Sequence, residues 1–238
     1  MERPKVKTVL VIVGLLLLTS ACTPAAVRTV KKVKAKQASK KAPADLDVAD
    51  TTPAVSWDRF ALIDATDAAL KKEGCKLNAL ERRKLAVSLA VVAHEESYPL
   101  DFLLGHVFAE HPSTDLTPNR AGAIGPLQMT AIACKSVGEY YPPQSLDAAV
   151  RAGIKYMKQL RHGQSAAKNS LKNTLRMYGM GPGGFSTYLQ DGCSRPCGTY
   201  PLSVWASECG CTAYVYTDRV LGIARRHPEL HTQKWNAW

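Results

Sequence analysis

From Trp57 onward the apolar positions recur at helical spacing, and no run of strict alternation interrupts them. "WDRFALIDATDAALKKEG" carries its apolar residues three and four apart and stops at Gly74. "NALERRKLAVSLAVVAHEES" opens with Asn78 and Glu81 three apart, the spacing of a capping box, and fills out with Leu, Ala and Val. "LDFLLGHVFAE" is entered after Pro99 and ended before Pro112. "LDAAVRAGIKYMKQLRHG" is amphipathic and stops at Gly163, "NSLKNTLRMYG" stops at Gly179, and "YTDRVLGIARRH" is the last helical stretch. The glycine-rich, aromatic segment "MGPGGFSTYLQDGCSRPCGTYPLSVWASECGCTAY" between the last two reads as an irregular or hairpin insertion. The expectation is an all-α chain with one domain over residues 57–238.

The region upstream has a different pattern. "MERPKVK" is basic, "TVLVIVGLLLL" is an apolar run and "TSAC" supplies small residues, which makes 1–21 a secretory signal peptide. The run is too short to be read as a transmembrane helix. The cysteine at its end, Cys22, resembles the bacterial lipoprotein processing site, with Thr19 where a Leu is usual. That resemblance implies acylation of Cys22, and Thr23 after it implies an outer-membrane destination within the periplasm. Residues 22–56 are rich in Lys, Ala and Pro and hold seven bases against three acids, so they form a disordered basic tether.

Charge and cysteines narrow the compartment and the partners. The chain has a formal net charge of +11, much of it in the leader and tether. Outside the cytoplasm such a tether is attracted to anionic lipid or to acidic cell-wall polymer. Nucleic acid is not expected as a partner, since no nucleic-acid module is recognised. Besides Cys22 there are six cysteines: Cys75, Cys134, Cys193, Cys197, Cys209 and Cys211. An even count in an exported chain reads as up to three disulfides. "CSRPC" and "CGC" lack the spacing of zinc knuckles, so no metal site is expected.

Glu110 is the residue that carries chemistry. Leu103, Val107 and Glu110 share one face of the third helix, so the carboxyl projects from an apolar stripe. It also lies at the helix C-terminus, where the backbone dipole disfavours negative charge. Both effects favour the protonated form, as a general acid for glycosidic cleavage requires. A solvated glutamate at a frayed helix end is the plain alternative.

The following loop weighs on that choice. "YPLDFLLGHVFAEH" followed by "NRAGAIGPLQMT" resembles the lytic murein transglycosylase family, the soluble-type domain related to goose-type lysozyme. Glu110 falls on the family's catalytic Glu, and Gly125, Pro126, Leu127 and Gln128 fall on its Gly-Leu-Met-Gln, with Gly122 and Ala123 also in place. Downstream, "MYGMGPGG" resembles the family's "AYNAGPG", and "YTDRVL" resembles its closing "YV-KVL". The resemblance covers roughly residues 85 to 225. It implies a lysozyme-like, mainly helical fold, with Glu110 as the single acid and base and Gln128 and Tyr178 lining the sugar cleft. Met129, Gly181 and Tyr216 join them as substrate-binding residues. The Tyr178 hydroxyl would meet Glu110 or substrate, and Gln128 would serve an acetamido group.

The implied reaction cleaves the β-1,4 bond between N-acetylmuramic acid and N-acetylglucosamine in peptidoglycan and forms a 1,6-anhydro ring, without metal or cofactor. The implied partners are peptidoglycan glycan strands, a membrane reached through the lipid anchor, and a cell-envelope complex. Departures from the family include His111 for the Ser after the acid, Gly179 for the Asn after the tyrosine, and Asn119 for a loop Ser. Pro126 for Leu suits a first helical position. Glu96 in "HEES" mimics the family's Glu-Ser but lies 14 residues too early, and His94 and His106 lack a third ligand at metal spacing. Two other readings stand beside the transglycosylase. One is a goose-type-lysozyme-like hydrolase using a second carboxylate such as Asp115. The other is a murein-binding lipoprotein of a secretion or division complex whose catalysis has decayed.

Overall fold

A computed structural model describes residues 57–163, 170–191, 211–235 and 238, those at 183–184, 187–191 and 211–214 by backbone alone. The proposed signal, Cys22 and the whole tether lie outside the described residues. All described residues belong to one compact unit, Ala42–Trp238. They form seven α-helices, α1 (Arg59–Lys72), α2 (Ala79–Glu95), α3 (Leu100–Ala109), α4 (Ala131–Ser136), α5 (Leu146–Gly163), α6 (Leu171–Asp191) and α7 (Cys211–Arg226), then a 3-10 turn at Pro228–Leu230. No strand occurs among the described residues, only an isolated bridge between Ile124 and Met129.

The caps follow the sequence signals. Asp58 accepts from the backbone N–H groups of Phe60 at 3.0 Å and Ala61 at 3.1 Å and starts α1. Asn78 accepts from Glu81 N at 2.9 Å, while the Glu81 carboxylate accepts from Asn78 N at 3.4 Å, completing the capping box of α2. The third helix is unlike the others: every residue from Leu100 to Phe108 is buried. A helix apolar on all sides sits at the centre of a bundle. Here α7 and α2 pack on it, and each fully buried Leu or Phe adds about 1.5–3 kcal/mol. α3 and α7 approach closely because position 105 is glycine; a Cβ there would lie 2.4 Å from the Val220 carbonyl oxygen.

The C-terminal segment clasps the entry end of α3. Asp101, 1 % exposed, accepts on one carboxyl oxygen from His231 Nδ1 at 2.9 Å and Trp235 Nε1 at 2.8 Å. Its other oxygen accepts from Phe102 N at 2.8 Å. Arg161 on α5 donates to the Trp235 carbonyl at 2.9 Å and lies 4.6 Å from the Trp238 ring centre. Trp238 in turn packs on Tyr98, with ring centres 4.6 Å apart. Among the described residues no helix is long and apolar enough to cross a membrane.

Several expectations are corrected. Helix α4 is an addition to the helices that the sequence pattern predicts; with six residues it shows too little periodicity to stand out, and it is started by Thr130 accepting from Ala133 N at 3.3 Å. α6 does not stop at Gly179 but continues to Asp191 past a break at Gly181, which takes φ 72°. Pro182 then opens the second segment, at the position where its missing N–H costs nothing. α7 begins at Cys211, earlier than Tyr216. Both ends of the expected irregular insertion are therefore helical, and 192–210 lie outside the described residues. Cys75 and Cys134 are free thiols, not disulfide partners. Cys134 faces the core from α4, and Cys75 sits half-buried in the turn after α1, packed against the core. The side chains of Cys193, Cys197, Cys209 and Cys211 lie outside the described ones.

Candidate active site

The chain leaves α3 at Glu110, whose φ of −88° and ψ of −92° depart from helical values. The loop beyond is self-bonded. Asn119 Oδ1 accepts from Ala121 N at 2.9 Å and Ala123 N at 3.0 Å. Ile124 and Met129 then exchange both backbone hydrogen bonds, at 3.0 and 2.9 Å, and close the segment between them into a tight turn. Pro126 lies in that turn, not at the start of a helix. Gly125 at φ 71° supplies a left-handed corner, while Gln128 adopts φ 46° without being glycine. A non-glycine residue in this region signals local strain held by its surroundings. Leu127 anchors the turn on α5 by resting on Gly153, where a Cβ would lie 2.3 Å from Leu127 Cδ1.

Around Glu110 three elements converge. The carboxyl is half-buried, and burial pushes its pKa up to about 7; a hydrogen bond from the Tyr216 hydroxyl pulls in the other direction. Tyr216, on α7, is 7 % exposed and lies 3.0 Å through its oxygen from His106 Nδ1. Tyr178, on α6, packs on Tyr216 with ring centres 6.0 Å apart and planes at 25°. Burial first, and the Glu110 charge second, push both tyrosines well above the ordinary value, so both stay neutral donors. Gly179 makes room for this stack: a Cβ there would lie 3.0 Å from Tyr216 Cγ. A carboxyl protonated near neutral pH, flanked by fixed phenols, can give up a proton and take one back.

The expected site residues are only partly brought together. Glu110, Tyr178, Tyr216 and Met129 form one cluster with His106. The Tyr178 hydroxyl does not meet Glu110; it donates to the Leu127 carbonyl at 2.7 Å and lies 3.7 Å from Met129 Sδ. Tyr178 therefore ties the turn to α6, and Tyr216 is the phenol bonded to the acid. Gln128 is half-buried and spends its amide locally, donating to the Gly125 carbonyl at 2.8 Å and accepting from Asn119 Nδ2 at 2.8 Å. Gly181 forms the break in α6, with open space where a Cβ would stand.

The competing groups are otherwise engaged. Asp115 is exposed and accepts from Thr117 N at 2.8 Å, which holds its carboxyl below the usual range. Glu96 binds Arg151 at 2.7 Å, and Lys158 donates to its backbone carbonyl. His94 stacks on Trp57 with ring centres 3.7 Å apart. No group of three metal-ligating side chains occurs among the described residues. The residue missed in the sequence is His106 as a partner of the site; its spacing of four from Glu110 on one helix was the available signal. No protein-family model matches the chain, and neither a curated protein nor a solved structure does.

Proposed function

We propose that the protein is a peptidoglycan lytic transglycosylase with a lysozyme-like helical domain. It would be held in the periplasm by a lipid on Cys22, with glycan strands as its substrate. The observation that carries this reading is the half-buried Glu110 carboxyl, with a pKa of about 7 beside the Tyr216 hydroxyl. Such a group is a proton donor at neutral pH and, once deprotonated, an effective base.

In the reaction Glu110 gives its proton to the oxygen linking N-acetylmuramic acid to N-acetylglucosamine, and the bond from that oxygen to C1 breaks. The acetamido group of the muramic residue supports the developing cation. The Glu110 carboxylate then takes the proton of the C6 hydroxyl as its oxygen bonds to C1, closing the anhydro ring. The acid ends the cycle protonated. One carboxyl does both proton transfers, so no second carboxylate is needed across a cleft.

Digestion of purified sacculi followed by mass spectrometry tests the proposal. 1,6-Anhydromuramic ends are expected with the wild type, and none with Glu110→Gln folded as the wild type by circular dichroism. Reducing muramic ends would replace it by a hydrolase, and no cleavage by a murein-binding protein.

A further inference from the structure

We propose that His106 is a positioning residue that orients the Tyr216 hydroxyl as an obligate hydrogen-bond donor to the Glu110 carboxyl. This rests on the acid–base role given above to Glu110, and it adds a group that the family resemblance does not supply.

The geometry begins on one helix. His106 and Glu110 are four residues apart at the end of α3, and the Glu110 amide donates to the His106 carbonyl at 2.9 Å. The imidazole is 1 % exposed and walled by rings: Phe102 edge-on at 4.9 Å, Tyr178 at 5.5 Å, Tyr216 at 5.9 Å and Tyr98 at 6.5 Å. Its Nδ1 faces the Tyr216 oxygen at 3.0 Å. Its Nε2 has no hydrogen-bond partner among the described residues.

That asymmetry decides where the single proton of a neutral imidazole resides. A buried N–H without an acceptor is rarer and more costly than a buried acceptor left bare. The proton therefore sits on Nδ1 and is donated to Tyr216. A phenol oxygen that is already accepting there must send its own hydrogen elsewhere, and the remaining partner is Glu110. Without His106 the hydroxyl could rotate and accept from a protonated Glu110. With it, Tyr216 only donates.

Two consequences follow for the chemistry. The protonated acid must carry its hydrogen on the carboxyl oxygen not bonded to Tyr216, which leaves that proton free for substrate. After transfer, the hydroxyl already points at the new anion and stabilises it without reorientation. The groups facing this site from each element are Tyr98 ahead of α3, Tyr178 on α6 and Tyr216 on α7, with Tyr156 on α5 and Cys134 on α4 behind Tyr178. Burial holds the phenols and the thiol above their ordinary values and holds His106 down at about 3. Among these buried groups Glu110 is the one that titrates near neutrality; His111, next in the chain, is exposed.

The test uses the whole folded chain, with carbon-13 in the glutamate carboxyls and nitrogen-15 in the histidines, followed by NMR between pH 4 and 9. The Nδ1–H pattern is expected for His106 throughout. His106→Phe, similar in shape but without a donor, should raise the Glu110 midpoint by about one pH unit. Tyr216→Phe should raise it alike, and the double variant no further. His106→Asn, whose amide can donate from near the Nδ1 position, should restore it to within a few tenths. An Nε2–H pattern in the wild type, or an unshifted midpoint in His106→Phe, would overturn the proposal. The wild-type nitrogen pattern decides even if His106→Phe does not fold. None of these readings uses peptidoglycan, so an inactive protein with the expected titrations would refute the enzyme and leave the relay standing.

Discussion

At the scale of single residues, the opposing influences on Glu110 set both chemistry and stability. Burial raises the carboxyl from 4.5 to about 7, and the Tyr216 hydrogen bond offsets part of that. Between those values the folded state holds a proton that the unfolded state has released, so stability falls as pH rises through that window. Glu110→Gln removes the titration. Relative to wild type it should be more stable above about pH 7, by roughly 3 kcal/mol at most, with the difference vanishing below about pH 4.5. Urea unfolding of both proteins across pH checks this. Gly179 offers a second test. Gly179→Asn, which places the family's usual residue there, brings a Cβ to about 3.0 Å from Tyr216 Cγ. Under the proposed function it should lower turnover on sacculi at least about tenfold by displacing the phenol from Glu110.

At the scale of elements, the site depends on how closely α7 and the turn before Met129 approach their supports. Gly105 lets the Val220 carbonyl lie against α3, and Gly153 receives Leu127 on α5. Gly105→Ala would bring a methyl group within 2.4 Å of that carbonyl oxygen, and backbone cannot rotate away as a side chain can. The helices must separate, at a cost of about 1–3 kcal/mol. Because α7 carries Tyr216, the thermal midpoint and, under the proposed function, the rate of sacculus cleavage should fall together. A loss of stability with an unchanged rate would show that the two helices are not coupled to the site in this way. Element identity was largely legible: the capping box at Asn78 and the apolar run from Leu100 each named a helix in advance. Helix ends after Gly179 were not, because one glycine at positive φ breaks a helix locally while Pro182 restarts it.

At the scale of the whole molecule, the C-terminus acts as a clamp on the central helix. Asp101 is buried and pushed to about 6, first by burial, with His231 and Trp235 hydrogen bonds offsetting part of the effect. Asp101→Ala would remove the acceptor shared by those two side chains and release the tail that also holds Arg161 and Trp238. A loss of about 2–4 kcal/mol is expected in chemical unfolding, with an altered tryptophan fluorescence in the folded baseline. Counting thiols assumes that each seeks a partner, whereas Cys134 is consumed as a small apolar side chain in the core.

The sequence alone determined the helical class, the central apolar helix and the carboxyl at its end, because periodicity, caps and prolines act within a few residues of the chain. It also singled out the tyrosines, through their ordered motifs. Only the tertiary structure decided which phenol meets Glu110, and it is Tyr216 instead of Tyr178. Only it could place a buried histidine behind that phenol, since His106 and Tyr216 are 110 residues apart and meet through a helix crossing that a glycine permits. Hydrogen bonds select partners by distance in space, and local pattern carries no record of which distant helix will arrive.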